Sequence, residues 1–199
     1  MDRMNALKKL RKYKYSKQED VLKVAVEEAR SISRQLAAGF NTTATNLHFY
    51  FSHKLWKQIF EQIIVNNKQI EAIKKILSTA EPQTVVFAPT HKSFMDFWLI
   101  SYVCFHYKLP LPLIAAPERF HSMRVVSKIL RLCGGFFVKN KQLKDPLFSA
   151  IFKQYIKRLI QNNNILELFI EGKRQPAGKV IPNDNFVFDE IAEAFLDTP

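Results

Sequence analysis

Apolar and polar positions alternate along this chain in two regimes. Up to about residue 80 the period is helical. Over 18–38, Val21, Leu22, Ala25, Ala29, Ile32 and Leu36 recur every three or four residues, with Glu27, Glu28, Arg30 and Arg34 between them. Gly39 supplies a stop. The same spacing predicts a second helix over 43–65, with Leu47, Phe51, Leu55, Ile59, Phe60 and Ile63 on one face, and a shorter third over 67–78. Beyond residue 80 the pattern changes to short apolar runs separated by helical stretches. Thr84 to Ala88, Leu113 to Ala116, Gly135 to Lys139 and Ile165 to Ile170 read as buried strands. Between them, Ser93 to Tyr107, 122–132 and Pro146 to Gln161 read as helices, the last with its proline at the first turn. A further helix is expected over 186–196. Strands alternating with helices predict an α/β fold: a helical preface over 1–80, then a mostly parallel sheet flanked by helices over 81–199.

Composition adds limits. With 199 residues, 47% of them hydrophobic and 24% charged, the chain can bury a core. The formal charge of +12 calls for an anionic partner, whether a phosphorylated small molecule, an anionic membrane surface or nucleic acid. Basic residues crowd the N-terminus at Lys8, Lys9, Arg11, Lys12, Lys14 and Lys17, as a solvated tail or a contact surface. No helix-turn-helix, zinc-finger or ribonucleoprotein signature is present, so nucleic acid is not expected as a partner. The longest apolar run, Phe97 to Phe105, falls short of the roughly 20 residues that span a bilayer, so membrane contact through this stretch would be peripheral. Cys104 and Cys133 sit in apolar runs and read as buried free thiols. His48 and His53 lie five apart on one helix, His106 ends a helix and His121 precedes one; no metal site is expected.

In open α/β sheets ligands bind beyond the carboxyl ends of the strands. The residues there are Pro89 to Asp96, Pro117-Glu118-Arg119, Lys139-Asn140-Lys141 and Glu171-Gly172-Lys173-Arg174. Each stretch carries a basic residue, which suits a phosphate-bearing ligand. His91 and Asp96 form the sharpest pair, because a carboxylate on one imidazole nitrogen sets the tautomer and makes the other nitrogen more basic. Ser93-x-x-Asp96 reads equally as a helix capping box.

His91-Lys92-Ser93-Phe94-Met95-Asp96 resembles the H-x-x-x-x-D signature of the glycerolipid acyltransferases. Gly134 to Lys139 resembles that family's second block, and Phe169-Ile170-Glu171-Gly172-Lys173-Arg174 its third, in the family's order. Leu109 to Ala116 resembles the dihydroxyacetone-phosphate branch, kin to the glycerol-3-phosphate branch. The match covers about 85–175 well and 18–84 more loosely.

The resemblance implies an acyl-CoA-dependent O-acyltransferase of glycerolipid or ether-lipid synthesis. Its donor would be a long-chain acyl-CoA. Its acceptor would be dihydroxyacetone phosphate or, as the alternative, glycerol 3-phosphate. His91 would be the general base and Asp96 its orienting carboxylate, with no cofactor needed. Arg174 would hold the acceptor phosphate, Lys139 would add charge there, and Glu171 and Gly172 would shape the loop. The resemblance also implies a membrane-associated enzyme inside the cell. The peroxisomal membrane is favoured over the mitochondrial outer membrane or endoplasmic reticulum. The sequence departs from the family at Lys139-Asn140, where two arginines are usual, and at Lys173 and Gln175, which flank Arg174 in place of Thr or Gly and of Ser. The fourth block, a proline-containing strand, has no match before Pro199, so the chain reads as an incomplete catalytic domain. Gly134-Gly135 has a second reading, as a tight entry to a strand. An inactive scaffold that binds a membrane or partner is the reading from a different class.

Overall fold

The computed structural model describes residues 18–79, 83–93, 95–138, 145–169, 171 and 186–196. Three helices open it: α1 (Gln18–Leu36), α2 (Thr42–Ile59) and α3 (Asn67–Leu77). Strand β1 (Val86–Phe87) leads to α4 (Asp96–His106) and β2 (Leu113–Pro117). A 3-10 turn over Glu118–Phe120 precedes α5 (Arg124–Leu132), β3 (Gly135–Val138), α6 (Pro146–Gln161), β4 (Leu166–Glu167) and α7 (Phe186–Leu196). The α/β architecture is the one the alternation predicts. Strands β1 and β4 keep only two residues each of their apolar runs, whereas β2 runs one residue further, to Pro117. Helix α4 starts at Asp96 rather than Ser93, and α2 ends at Ile59 rather than 65.

All strand pairs are parallel, in the order β1-β4-β2-β3. The chain leaves β1, passes the place β4 will occupy, lays down β2 and β3, and returns to insert β4 between β1 and β2. This return brings the loops after β1 and β4, which are 80 residues apart in sequence at His91 and Glu171, to one end of the sheet.

Two helical layers cover the sheet. On one face Phe136, Leu166 and Leu168 pack with Ile32 and Leu36 of α1, with Phe148, Phe152 and Ile156 of α6, and with Val187 of α7. On the other, Phe87 packs with Ile70 of α3 and with Cys104 and Val103 of α4, while Phe49 and Trp56 of α2 pack against Tyr102 and Trp98 of α4. Both cysteines are free and buried, as their apolar surroundings predict.

The local chemistry of the elements is ordinary. The Asp145 side chain accepts from the amides of Leu147 and Phe148, and Pro146 stands where no amide hydrogen is needed, so α6 begins there. Arg131 donates to the carbonyls of Arg34, Gln35 and Ala37, satisfying the C-terminal end of α1 from a helix 94 to 97 residues away.

The sequence reading of α2 needs one correction. Its buried face is Thr45, Phe49, Ser52 and Trp56. Leu47, Phe51 and Ile59 are more than half exposed, at 57%, 59% and 51%. The helix is apolar around most of its circumference, so periodicity alone did not choose the face; the aromatic surface of α4 did, by matching Phe49 and Trp56.

The Gly134-Gly135 pair is settled by sterics. Gly134 adopts φ +97, where a side chain is strained, and a Cβ there would stand 2.9 Å from the Pro112 carbonyl oxygen. A Cβ on Gly135 would meet the Leu130 carbonyl oxygen at 2.8 Å. Both sit at the amino end of β3, the end away from His91. Their role is the tight entry from α5 into the strand.

Candidate active site

The carboxyl ends of β1 and β4 carry the site. His91 lies in the loop between β1 and α4. The Asp96 side chain at the start of α4 turns back over this loop. Its Oδ2 accepts from the Lys92 amide at 2.7 Å and the Ser93 amide at 2.5 Å, and stands 3.5 Å from His91 Nδ1. The Ser93 hydroxyl in turn accepts from the Met95 amide at 3.1 Å. Only half of the capping box forms: Asp96 reaches back to the Ser93 amide, but the Ser93 hydroxyl takes the Met95 amide, and Met95, the residue before α4, caps it with no side chain. The same carboxylate faces the imidazole, and its bonds to the loop amides hold the turn that brings His91 to Asp96.

From β4 come two further supports. The Glu171 Oε2 accepts from the His91 backbone amide at 3.0 Å, and Glu171 is only 5% exposed. The Phe169 ring lies against the imidazole, with ring centroids 4.6 Å apart. The His91 side chain is left 13% exposed and that of Asp96 24%. An imidazole held through its backbone amide and one ring face, with Nδ1 turned to the Asp96 carboxylate, leaves Nε2 as the atom that can exchange a proton with a bound hydroxyl.

The structure thus brings together three of the residues singled out from sequence: His91, Asp96 and Glu171. Lys139, Gly172 and Arg174 lie outside the described residues. Phe169 and Glu167 were not assigned roles from sequence. Their signal was available: Glu167 and Phe169 alternate with Leu166 and Leu168 in the apolar run, a period of two that puts them on the opposite face. That face is the one turned to α4 and the His91 loop, since Phe169 and Glu171 both touch His91 while Leu166 and Leu168 pack on the opposite layer.

The other charged groups flagged at the strand ends contribute less here. Arg119 lies in the 3-10 turn after β2, with its guanidinium over the Phe120 ring at 5.1 Å. A groove of about 380 Å³ between α2 and the segment before β2, lined by Phe40, Thr45, Phe105, Lys108 and Leu111, opens at the amino end of the sheet. It is at the wrong end for this chemistry. Among the described residues no group of three or more His, Cys, Asp or Glu side chains could hold a metal ion.

Residues 64–198 match the family described as Acyltransferase. The chain is 33% identical over 178 residues to the dihydroxyacetone phosphate acyltransferase of Mus musculus, covering 89% of this chain and 25% of that protein. It is 30% identical over 178 residues to the Homo sapiens protein of the same name, with the same coverage of 89% and 25%. It is 29% identical over 173 residues to the glycerol-3-phosphate acyltransferase of Xylella fastidiosa strain M23, covering 86% of this chain and 19% of that protein. The chain therefore spans a quarter or less of the length of the curated relatives it matches. With its H-x-x-x-x-D loop folded around His91 and the family profile running over most of its length, this chain belongs to the acyltransferase family.

Proposed function

We propose that this chain carries the catalytic core of an O-acyltransferase that moves a long-chain acyl group from acyl-CoA to the hydroxyl of dihydroxyacetone phosphate. The observation that carries the reading is His91 with Nδ1 3.5 Å from the Asp96 carboxylate and its backbone held by Glu171. In this mechanism Nε2 takes the proton from the acceptor hydroxyl. The oxygen attacks the thioester carbonyl carbon, the carbon–sulfur bond breaks, and the departing thiolate receives the proton from the imidazolium. Asp96 stabilises the imidazolium while it exists. Arg174, with Lys139, holds the acceptor phosphate in this reading, and Gly172 lets the backbone approach it. No cofactor enters.

The names of the relatives support dihydroxyacetone phosphate first and glycerol 3-phosphate as the second reading. A peripheral position at an anionic membrane belongs to the same proposal. No helix among the described residues is long and apolar enough to cross a membrane. The exposed row Leu47, Phe51, Leu55 and Ile59 on α2, flanked by Lys54 and Lys57, suits an interface between headgroups and acyl chains. The peroxisomal membrane is the location favoured, on the likeness to the dihydroxyacetone phosphate branch.

The experiment is release of free CoA from palmitoyl-CoA with either acceptor added separately, for the wild type and His91→Ala. Release that needs both an acceptor and His91 is expected. Release that persists in His91→Ala would remove the base assignment. A folded protein that releases nothing with either acceptor would favour the scaffold reading.

A further inference from the structure

Glu167 occupies a place that a carboxylate should avoid. It lies on β4, between Phe87 of β1 and Ile114 of β2 in register, in the interior of the sheet. It is 0% exposed, and neither carboxyl oxygen has a hydrogen-bond partner among the described residues. An isolated ionised carboxylate in such surroundings costs several kcal/mol, so the group sheds its charge or finds a partner. A residue kept only for packing would be apolar, as Leu166 and Leu168 are on the other face.

The direction of the side chain tells more. Leu166 and Leu168 pack on the layer of α1, α6 and α7, so Glu167 between them faces the other layer, where α4 lies. Glu171 holds the His91 backbone and Phe169 lies on the His91 ring. Glu167 is the most buried of the three, at 0% exposed against 5% for Glu171, with Phe169 only partly buried. Burial first, and then the Asp96 charge, push its carboxyl well above the usual carboxylate range. The Cys104 thiol on the same side is pushed up to about 12 by its own burial first and by Glu167 second. Asp96 already spends Oδ2 on two amides and the imidazole. A neutral acid adds a potential O–H donor and no second negative charge near Asp96, whereas a second carboxylate would compete with Asp96 for the imidazolium proton.

We propose that Glu167 is a positioning residue of this site: a fully buried acid in the interior of the sheet that supports the Asp96–His91 pair. The proposal rests on the reading of His91 as the catalytic base. It assigns Glu167 no contact with substrate, and its effect runs through Asp96.

The test compares the full natural protein with Glu167→Gln, which keeps size, neutrality and a donor, and Glu167→Met, which keeps length and removes every polar atom. Glu167→Leu is the second apolar variant should Met fail to fold. The first readout needs no turnover: the infrared C=O band of a protonated carboxyl, recorded at neutral pH, present in wild type and lost in Glu167→Gln. The second is steady-state kinetics beside thermal melting. Glu167→Met should melt no lower than wild type, because an apolar group suits the interior. Its kcat should fall about tenfold or more with KM for either substrate unchanged, the signature of misplaced catalytic groups. Glu167→Gln should restore kcat to within about threefold of wild type, since it retains the donor. Absence of the band overturns the proposal. So does a Met variant with wild-type kcat, a Gln variant as slow as Met, or an effect confined to KM. A wild type that shows the band and no acyl transfer overturns the acyl-transfer reading, and the positioning role with it, while leaving the acid uncharged.

Discussion

Asp96 performs two tasks at one atom, and the isosteric change Asp96→Asn separates them. The first task is structural: Oδ2 accepts from the amides of Lys92 and Ser93. An asparagine oxygen can accept the same bonds. Loss of charge at these bonds and at the helix dipole should cost no more than about 1 kcal/mol. Asp96→Ala, which leaves both amides to water or to nothing, should cost about 1–3 kcal/mol, toward the lower end because the Lys92 amide is exposed. The second task is electrostatic. A unit charge 3.5 Å from an imidazolium is worth about 5 kcal/mol at an effective dielectric of about 20. That is an upper bound, because the Asp96 side chain is 24% exposed and water screens part of it. Read as rate at 1.4 kcal/mol per decade, the bound is a little over three decades, so kcat should fall about 10²–10³-fold. Thermal melting and CoA-release kinetics on wild type, Asp96→Asn and Asp96→Ala supply the assay. The expected result is a near-native melt for Asn beside a large fall in kcat. An Asn variant within about threefold of wild-type kcat would refute the electrostatic role and leave Asp96 as a cap only.

Other consequences can be checked more briefly. Gly134→Ala places a Cβ 2.9 Å from the Pro112 carbonyl at φ +97, and should lower stability by about 1–3 kcal/mol. An unchanged melt would mean that the α5–β3 entry relaxes freely. His48 is half-buried, stacked on Trp98 with centroids 5.2 Å apart, and burial lowers its pKa below 6.5. The fold therefore prefers the neutral ring. Its contribution is complete above pH 6.5 and is lost as pH falls from there through the folded value, because the unfolded chain binds the proton first. Denaturant titrations between pH 7.5 and 5 should show this slope reduced in His48→Phe; identical slopes would refute it. On α2, Leu47→Asp with Phe51→Asp places charge on side chains 57% and 59% exposed, and should weaken co-sedimentation with anionic vesicles while sparing the melt. Undiminished vesicle binding would remove α2 from the membrane-facing surface.

Much of this protein is written locally. The alternation of apolar runs and helical stretches determined an α/β fold, and Pro146 marked the start of α6 because a proline acts on its own neighbours. The five-residue step from His91 to Asp96 was legible for the same reason: the pair meets across one turn. The spacing of Gly134 and Gly135 pointed to a tight entry, although only the approach of the Pro112 and Leu130 carbonyls showed why no side chain fits. Three features lay beyond local pattern. The insertion of β4 between β1 and β2 came from which strands could pair and cover both faces, and it alone brought Glu171 to the His91 amide across 80 residues. Helix α2 turned Phe49 and Trp56 inward and left Leu47 and Phe51 outside, because the aromatic partners on α4 exist only in the folded chain. The complete burial of Glu167 was invisible in sequence, where it is one acid among apolar neighbours. Burial from both faces of a sheet is a property of the layers that close over it, and that is where the sequence by itself stopped and tertiary structure decided.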